Sequence, residues 1–431
     1  MADPHRTYEI RCPIHGFIPY SDWEREIINQ PAFQRLRRIR QLALTDYIYP
    51  GAMHTRFEHS LGVMHIASQL YDAVSRRSLA LLKENLGYTE VALQRDKVIV
   101  RLTALLHDTG HGPFSHGGEA FGLFPLDPST QKEYKHEQYS AAIIRHELRD
   151  VIENHPLNKL DIKANDIATL LEGSGTAGHR LFWRQLIDGQ MDADRMDYLL
   201  RDSLHAGVDY GKYDWRRLLN TIQAIEMPQR EGEDAKQGLR LGVTEGGIHA
   251  AEALVLARYF MFTQVYFHKT RVAYDHHLRR AMKELLGGAS FPTPEPANLK
   301  TYMAWDDWKV LGMLSEGKGG EHGGRLSLRN HYRQIYHTPE CPDIEDLTRL
   351  ASAEERLQDL VAAREEAEKS WYKVDQTDIP VEMEDGPVRP LSALSAMVKN
   401  LKPTRRIALY SMPERAEEAR AIVADLQKEI S

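Results

Sequence analysis

Residues 98–116 read VIVRLTALLHDTGHGPFSH, and this stretch decides the architecture. Val98 to Leu106 is apolar on nearly every side, which predicts a buried helix rather than a surface one. The helix ends in His107 and Asp108, and Gly110 and Gly112 break it. Two ionisable side chains at the end of an apolar helix are costly to desolvate unless something compensates. A divalent metal would compensate, and imidazole with carboxylate suits Mn, Fe, Zn, Ni or Mg rather than a thiolate-selected metal. The plain alternative is a helix C-terminus whose dipole is satisfied by histidines. Three histidines (His107, His111, His116) and an aspartate within ten residues favour the metal.

Working outward, HTRFEHSLGV (residues 54–63) supplies His54, Arg56 and His59 just before a helical period that runs from Leu61 to Val74. Downstream, QMDADRMDYLLRD (residues 190–202) supplies Asp192, Asp194, Asp197 and Asp202. On a helix Asp194, Tyr198 and Asp202 drift by only about 40° per four residues and share one stripe. Taken alone, that stripe reads equally as a solvated acidic face. Tyr8 to Pro19 predicts strand, His-Gly turn, strand. From Trp23 to about Leu285 the pattern is mainly helical, with Ile27, Phe33, Leu36 and Ile39 near the helical period. Further helices are expected over Tyr139–Val151, Ala164–Leu171, Gln190–His205 and, unbroken, Ile248–Leu285. Gln229–Gly238 and Ser315–Gly324 read as loops, and the breaker-rich Gly287–Leu299 as a boundary. Beyond it, Ile344–Arg364 predicts an amphipathic helix with Leu347, Leu350, Leu357 and Leu360 on one stripe. Strands are expected at Trp371–Val374, Val381–Met383 and Arg406–Tyr410, then a helix from Pro413 to Ile430.

The length of 431 residues allows two or three domains. Hydrophobic residues at 42% and charged residues at 27% are globular values and exclude disordered and coiled-coil classes. Lys and Arg number 55 against 62 Asp and Glu, a net charge of −7 that argues against a general nucleic-acid coat. Only Cys12 and Cys341 are present, so neither a disulfide framework nor a cysteine-rich zinc site is expected. Met1 to Ile10 has no apolar signal core, and Glu252 and Arg258 interrupt the apolar stretch from Ala250 to Phe262. A soluble cytoplasmic protein without a membrane span is expected.

Taken in order, HTRFEHSLGV, HDTGHGPFSH, KHEQ (residues 135–138) and MDADRMDYLLRD resemble the metal-binding and substrate-binding motifs of the HD-domain deoxynucleoside-triphosphate triphosphohydrolases. RCPIHGFI (residues 11–18) and FQRLRRIRQL (residues 33–42) resemble that family's N-terminal segments. The resemblance runs from about Ile10 to Arg280. It implies a mainly α, HD-domain helical fold with a small α/β C-terminal appendage. The phosphohydrolase core and its N-terminal hairpin would occupy residues 1–285, and the appendage 286–431.

By the same resemblance the metal ligands would be His59, His107, Asp108 and Asp194, which lie 48 and then 86 residues apart. Such a set leaves open positions for water and a phosphate oxygen. His111, His116 and His136 would surround the reacting phosphate. His136 would act as general acid/base, oriented by Glu137, and His116 would stabilise charge at the α-phosphate. Arg56 and Arg195 match phosphate-contacting positions, with Lys269 and Arg271 as further candidates. Gln41 and Asp202 match positions that bond the sugar 3′-hydroxyl, and Tyr198 a ring that packs on the deoxyribose. An ion pair with Glu58 or another carboxylate is the plain alternative for Arg56. Gln34 and Arg37 match a nucleotide activator site, but Asn29 stands where some members carry a guanine-reading aspartate. An amide cannot supply that charge. Arg35, Arg37, Arg38 and Arg40 read either as a basic stripe for single-stranded nucleic acid or as a solvated or ion-paired helix face. The family implies hydrolysis of a dNTP to deoxynucleoside and triphosphate by a homo-oligomer. The rivals are an HD-domain phosphodiesterase, nuclease or other nucleotide phosphohydrolase, and a non-catalytic dNTP sensor.

Overall fold

The computed structural model describes residues 7–119, 122–227, 238–369, 372 and 378–430. The N-terminal hairpin forms as its alternation predicts, from β1 (Tyr8–Cys12) and antiparallel β2 (Gly16–Tyr20). Gly16 sits at φ 76°, a left-handed turn position where a side chain would be strained. The helices used below are α1 (Asp22–Ile28), α2 (Arg56–Arg77), α3 (Glu90–Leu106), α4 (His136–His146), α5 (Ala164–Glu172), α6 (Ala193–Ala206), α7 (Ile248–Met261) and α8 (Lys269–Leu285). They continue with α9 (Pro296–Met303), α10 (Asp307–Ser315), α11 (Gly320–Ser327), α12 (Ile344–Leu357) and α13 (Ala416–Ile430). The protein is mainly α, as expected.

The apolar α3 is buried from Ile99 through Leu106 except at Arg101, and it packs on α2 and α5. α2 also packs on α6, so the central helix α2 is covered on two sides. That stacking brings the N-terminal end of α2, the C-terminal end of α3 and the first turns of α6 to one place. α6 starts where Asp192 caps it, its Oδ1 accepting the Arg195 N–H at 2.7 Å. It stops at Gly207, φ 69°.

The expected single helix from Ile248 to Leu285 is broken. α7 passes into a π turn at Phe262–Tyr266, and α8 begins at Lys269 after His268. An inserted residue of this kind leaves the apolar period nearly intact on either side, so periodicity does not reveal it. The break buries Val265 and Tyr266 and turns Tyr266 toward Asp202.

Among the described residues, seven further strands form two small sheets: β3 (Ile222–Glu226), β4 (Leu239–Thr244), β5 (Arg333–His337), β6 (Ala363–Lys369), β7 (Pro380–Glu382), β8 (Val388–Pro390) and β9 (Thr404–Ser411). One sheet has the order β3-β4-β7-β8, with β4 and β7 parallel; the other is antiparallel, β5-β9-β6. Residues 380–390 therefore extend a sheet begun by residues 222–244. α12 and α13 bury Leu350, Leu357, Ala419 and Val423 with Ile407 and Leu409 of β9.

Other expectations need correction. β3 and β4 lie in the stretch read as mainly helical; five- and six-residue strands there are shorter than the window that reveals a helix. The helix read as Ile344–Arg364 stops at Leu357, where Gln358 adopts φ 37°, and β6 follows. α11 begins inside the expected loop Ser315–Gly324, and α9 inside the boundary segment. The strand read at Trp371–Val374 lies outside the described residues apart from Tyr372, which is in no strand. Of the loop Gln229–Gly238, only Gly238 is described.

Candidate active site

His59, His107, Asp108 and Asp194 come together at the junction of α2, α3 and α6. His59 Nε2 lies 2.9 Å from Asp194 Oδ1 and 3.5 Å from Asp108 Oδ2. His107 Nε2 lies 3.2 Å from Asp108 Oδ1 and 3.8 Å from Asp194 Oδ1. Donors bound to one cation at zinc-like distances sit roughly 3 to 3.5 Å apart, so the spacing fits a shared ion. The proton positions fit too. His107 Nδ1 donates to the Ala104 carbonyl at 2.7 Å, which leaves Nε2 as a buried lone pair with no partner among the described residues. His59 Nδ1 donates to Asp197 Oδ2 at 2.8 Å, which turns its Nε2 toward Asp194 and Asp108. Burial alone would lower the His59 pKa. Its bonds to Asp194 and Asp197 and the charge of Asp108 outweigh that and raise it to about 10, so the cluster stabilises positive charge.

Beside this cluster three histidines converge on Glu119, which the sequence reading missed. Glu119 accepts a short hydrogen bond from His111 Nδ1, and its other oxygen lies 3.2 Å from His116 Nδ1 and 3.4 Å from His136 Nδ1. His111 and His136 are stacked with centroids 3.8 Å apart. Two imidazolium rings would repel at that distance. Burial and then Arg56 lower His111 to about 4, whereas Glu119 overcomes burial and raises His136 to about 9. His136 is therefore the ring that carries the proton at neutral pH. Glu137, expected to orient it, lies 3.6 Å away and is second to Glu119.

A cavity of about 520 Å³ opens against both groups. Gln41, Arg56, His116, Asp194, Arg195 and Tyr198 line one part of it. Asp202, Arg258, Tyr266 and Arg271 line another. Arg56 donates to Asp108 Oδ2 at 2.8 Å and to Ser115 Oγ at 2.9 Å, not to Glu58. Arg195 pairs with Asp192 at 2.6 Å. Gln41 is buried, and its Oε1 has no partner among the described residues. Asp202 already accepts from His54 Nε2 at 2.7 Å and Tyr266 Oη at 2.6 Å. His136 does not line the cavity; His116 stands there, its ring 5.4 Å from that of His136.

Two expectations fail on position. Lys269 is exposed and does not line the cavity; its carbonyl accepts from Tyr410 Oη at 3.0 Å. The four arginines do not form a stripe. Arg35 is buried and donates to the Trp305 carbonyl at 2.7 Å, Arg38 pairs with Asp306 at 2.5 Å, and Arg40 with Asp46 at 2.8 Å. Arg37 donates to Gln34 Oε1 at 2.9 Å and lies 3.5 Å over the Phe57 ring, so the two activator-motif residues hold each other.

A second histidine group, His276, His277 and His322, lies outside this site. The Tyr332 N–H donates to His277 Nε2 at 3.1 Å. The His277 proton is therefore on Nδ1, facing His322 Nδ1 at 2.8 Å. Glu365 takes the Nδ1 proton of His276 at 2.6 Å. The three rings meet edge-on or tilted where α8 packs on α11.

The HD-domain profile matches residues 56–202, and an HD-associated-region profile matches 214–428. An uncharacterized protein of Methanocaldococcus jannaschii is 30% identical over 428 residues, covering 95% of this chain and 80% of that protein. Mouse deoxynucleoside triphosphate triphosphohydrolase SAMHD1 is 33% identical over 246 residues, 52% of this chain but 35% of its own length. The crystal structure of a hypothetical protein from Aquifex aeolicus superposes with a TM-score of 0.76 at 28% identity, covering 96% of this chain and 99% of that one. No described helix is long and apolar enough to cross a membrane. The motifs, their assembly at one buried junction and these matches agree: the chain belongs to the HD-domain phosphohydrolase family, with an HD domain followed by its associated region.

Proposed function

We propose that this protein hydrolyses deoxynucleoside triphosphates to deoxynucleoside and inorganic triphosphate, using a divalent cation held by His59, His107, Asp108 and Asp194. The observation that carries this reading is the cavity. It sets five arginines, an amide oxygen with no partner among the described residues and a flat ring beside a cluster that stabilises positive charge. A bound divalent cation supplies Lewis-acid chemistry there and makes a water nucleophilic at neutral pH. Arg195, Arg258 and Arg271 hold the triphosphate, since guanidinium stays charged and binds phosphate through paired donors. His116 stabilises charge that develops at the α-phosphate. The bond between the α-phosphorus and the 5′-oxygen breaks, and the proton that oxygen needs comes from His136 by way of His116, the histidine at the cavity wall. The proton lost by the attacking water restores it. Gln41 Oε1 accepts the 3′-hydroxyl, and Tyr198 packs on the sugar.

The test is product analysis. Purified protein with Mn²⁺ is given each dNTP singly and then all four together, and products are separated by ion-exchange chromatography. Deoxynucleoside and triphosphate are expected. Deoxynucleoside monophosphate with pyrophosphate would overturn the bond assignment and favour a phosphodiesterase-like enzyme. Binding without turnover would favour a sensor.

A further inference from the structure

The N-terminal hairpin reaches the cation cluster through one side chain. The side chain of His15, at the β1–β2 turn, is completely buried, and its Nε2 lies 2.6 Å from Asp197 Oδ1. Asp197 is the carboxylate whose other oxygen holds His59 Nδ1 at 2.8 Å. Arg201 braces the same carboxylate at 2.7 Å and 2.9 Å and also reaches Cys12 Sγ of β1 at 3.4 Å. Each Asp197 oxygen thus accepts two bonds, and the group is fully buried. There is no slack around it. A Cβ at Gly62 of α2 would stand 1.9 Å from Asp197 Oδ1 and 2.5 Å from Arg201 Nη2.

We infer that His15 is a positioning residue for the cation site: by donating to Asp197 it fixes the carboxylate that aims His59 Nε2. It touches neither cation nor substrate, so it is no catalytic residue. The partners that orient a ligating imidazole set metal affinity as well as the ligands do. Loss of the His15 donor leaves Asp197 Oδ1 with one bond and lets the carboxylate turn about its remaining contacts to Arg201, and His59 turns with it. The hairpin, remote in sequence from every ligand, becomes a part of the metal site. This rests on reading the cluster as a cation site and not on the identity of the substrate.

The test measures Mn²⁺ affinity of the full chain by electron paramagnetic resonance titration against a chelator, with His107→Ala/Asp108→Ala as the zero-site reference. His15→Leu fills the space without a donor, and His15→Asn has an amide that falls short of Asp197. Both are expected to bind Mn²⁺ roughly tenfold more weakly, the low end for such partners. His15→Gln places an amide N–H where Nε2 was and should restore affinity to within about twofold. Melting temperature of the metal-free proteins separates this from a loss of fold. Wild-type affinity in a folded Leu or Asn variant overturns the inference. So does a folded Gln variant as weak as the other two, because packing rather than the hydrogen bond would then be responsible. The readout is metal binding, so a protein that cleaves something other than a dNTP leaves this result intact.

Discussion

At the scale of single residues, the division of labour between His111 and His136 has a pH signature. His136 is raised to about 9 chiefly because Glu119 outweighs burial, and His111 is lowered to about 4. A general acid must be protonated, so its active form is present below about 9 and is lost above. The expected kcat/KM profile in Mn²⁺ falls above about pH 9. His136→Ala should lower kcat by roughly 10²–10⁴ and abolish that limb, while a non-hydrolysable dNTP analogue still binds. Glu119→Gln removes the largest raising influence, so the limb should move to lower pH. A Gln variant whose profile coincides with wild type would remove Glu119 from the argument. Stability carries the same sign. A histidine raised above its unfolded value stabilises the fold fully below about 6.5, and that stabilisation disappears as pH rises through about 9.

At the scale of elements, two positions have effects opposite to their residue type. Glycine inside a helix is ordinarily weaker than alanine by roughly 0.5–1 kcal/mol. Gly62→Ala should nonetheless destabilise by roughly 1–3 kcal/mol, because α2 meets α6 there with no room for a methyl group. Urea unfolding of both proteins gives the sign, and a stabilised Ala variant would show that the helices move apart freely. Arg35 looks like a surface cation in a basic run. It is fully buried, bonds the carbonyls of Trp305 and Thr109, and ties the Arg35 turn to the segment before α10. Arg35→Ala should cost about 3 kcal/mol of stability, since buried carbonyls lose a charged donor. Arg37→Ala, at an exposed cation–π contact, should cost less than about 1 kcal/mol. Equal losses in chemical denaturation would refute this ranking.

These cases show which parts were legible in the sequence. His107 and Asp108 could be read because charge at the end of an apolar helix needs a reason. The hairpin and α3 could be read from alternation and apolar content. Glu119 could not, since it sits in a loop without period and one of its three histidine partners, His136, comes from a separate helix. Asp197 was visible as an acid on α6, but its role depends on His15, 182 residues away. Only the fold brings those two together. The helix break at Phe262–Tyr266 escaped because both flanks keep a helical period. The arginine run was ambiguous because a charge pattern does not say which carboxylates face it.

At the scale of the whole molecule, the cavity is a joint product of segments from across the chain, and this bears on which sugar it accepts. α6 brings Asp194, Tyr198 and Asp202, the junction of α7 and α8 brings Arg258, Tyr266 and Arg271, and β6 of the C-terminal region closes one wall with Glu365 to Glu368. Tyr198 is one turn beyond Asp194, and its ring stands 6.4 Å from that of Tyr266. Asp202, one turn further along the same stripe, already accepts from His54 and Tyr266. A flat ring against C2′ offers a 2′-hydroxyl neither room nor a partner. Burying that hydroxyl unpaired costs on the order of 1–3 kcal/mol before any steric penalty. We expect dNTPs to be cleaved at least roughly tenfold more efficiently than the matching NTPs, about 1.4 kcal/mol in transition-state terms. Tyr198→Ala should narrow that gap while bound Mn²⁺ stays near wild type, because the ring is no part of the donor cluster. The deciding measurement is kcat/KM for one base as deoxyribo- and ribonucleotide, in wild type and variant. Equal efficiency on both sugars in the wild type would remove Tyr198 as the sugar gate and favour a phosphohydrolase that reads its substrate elsewhere.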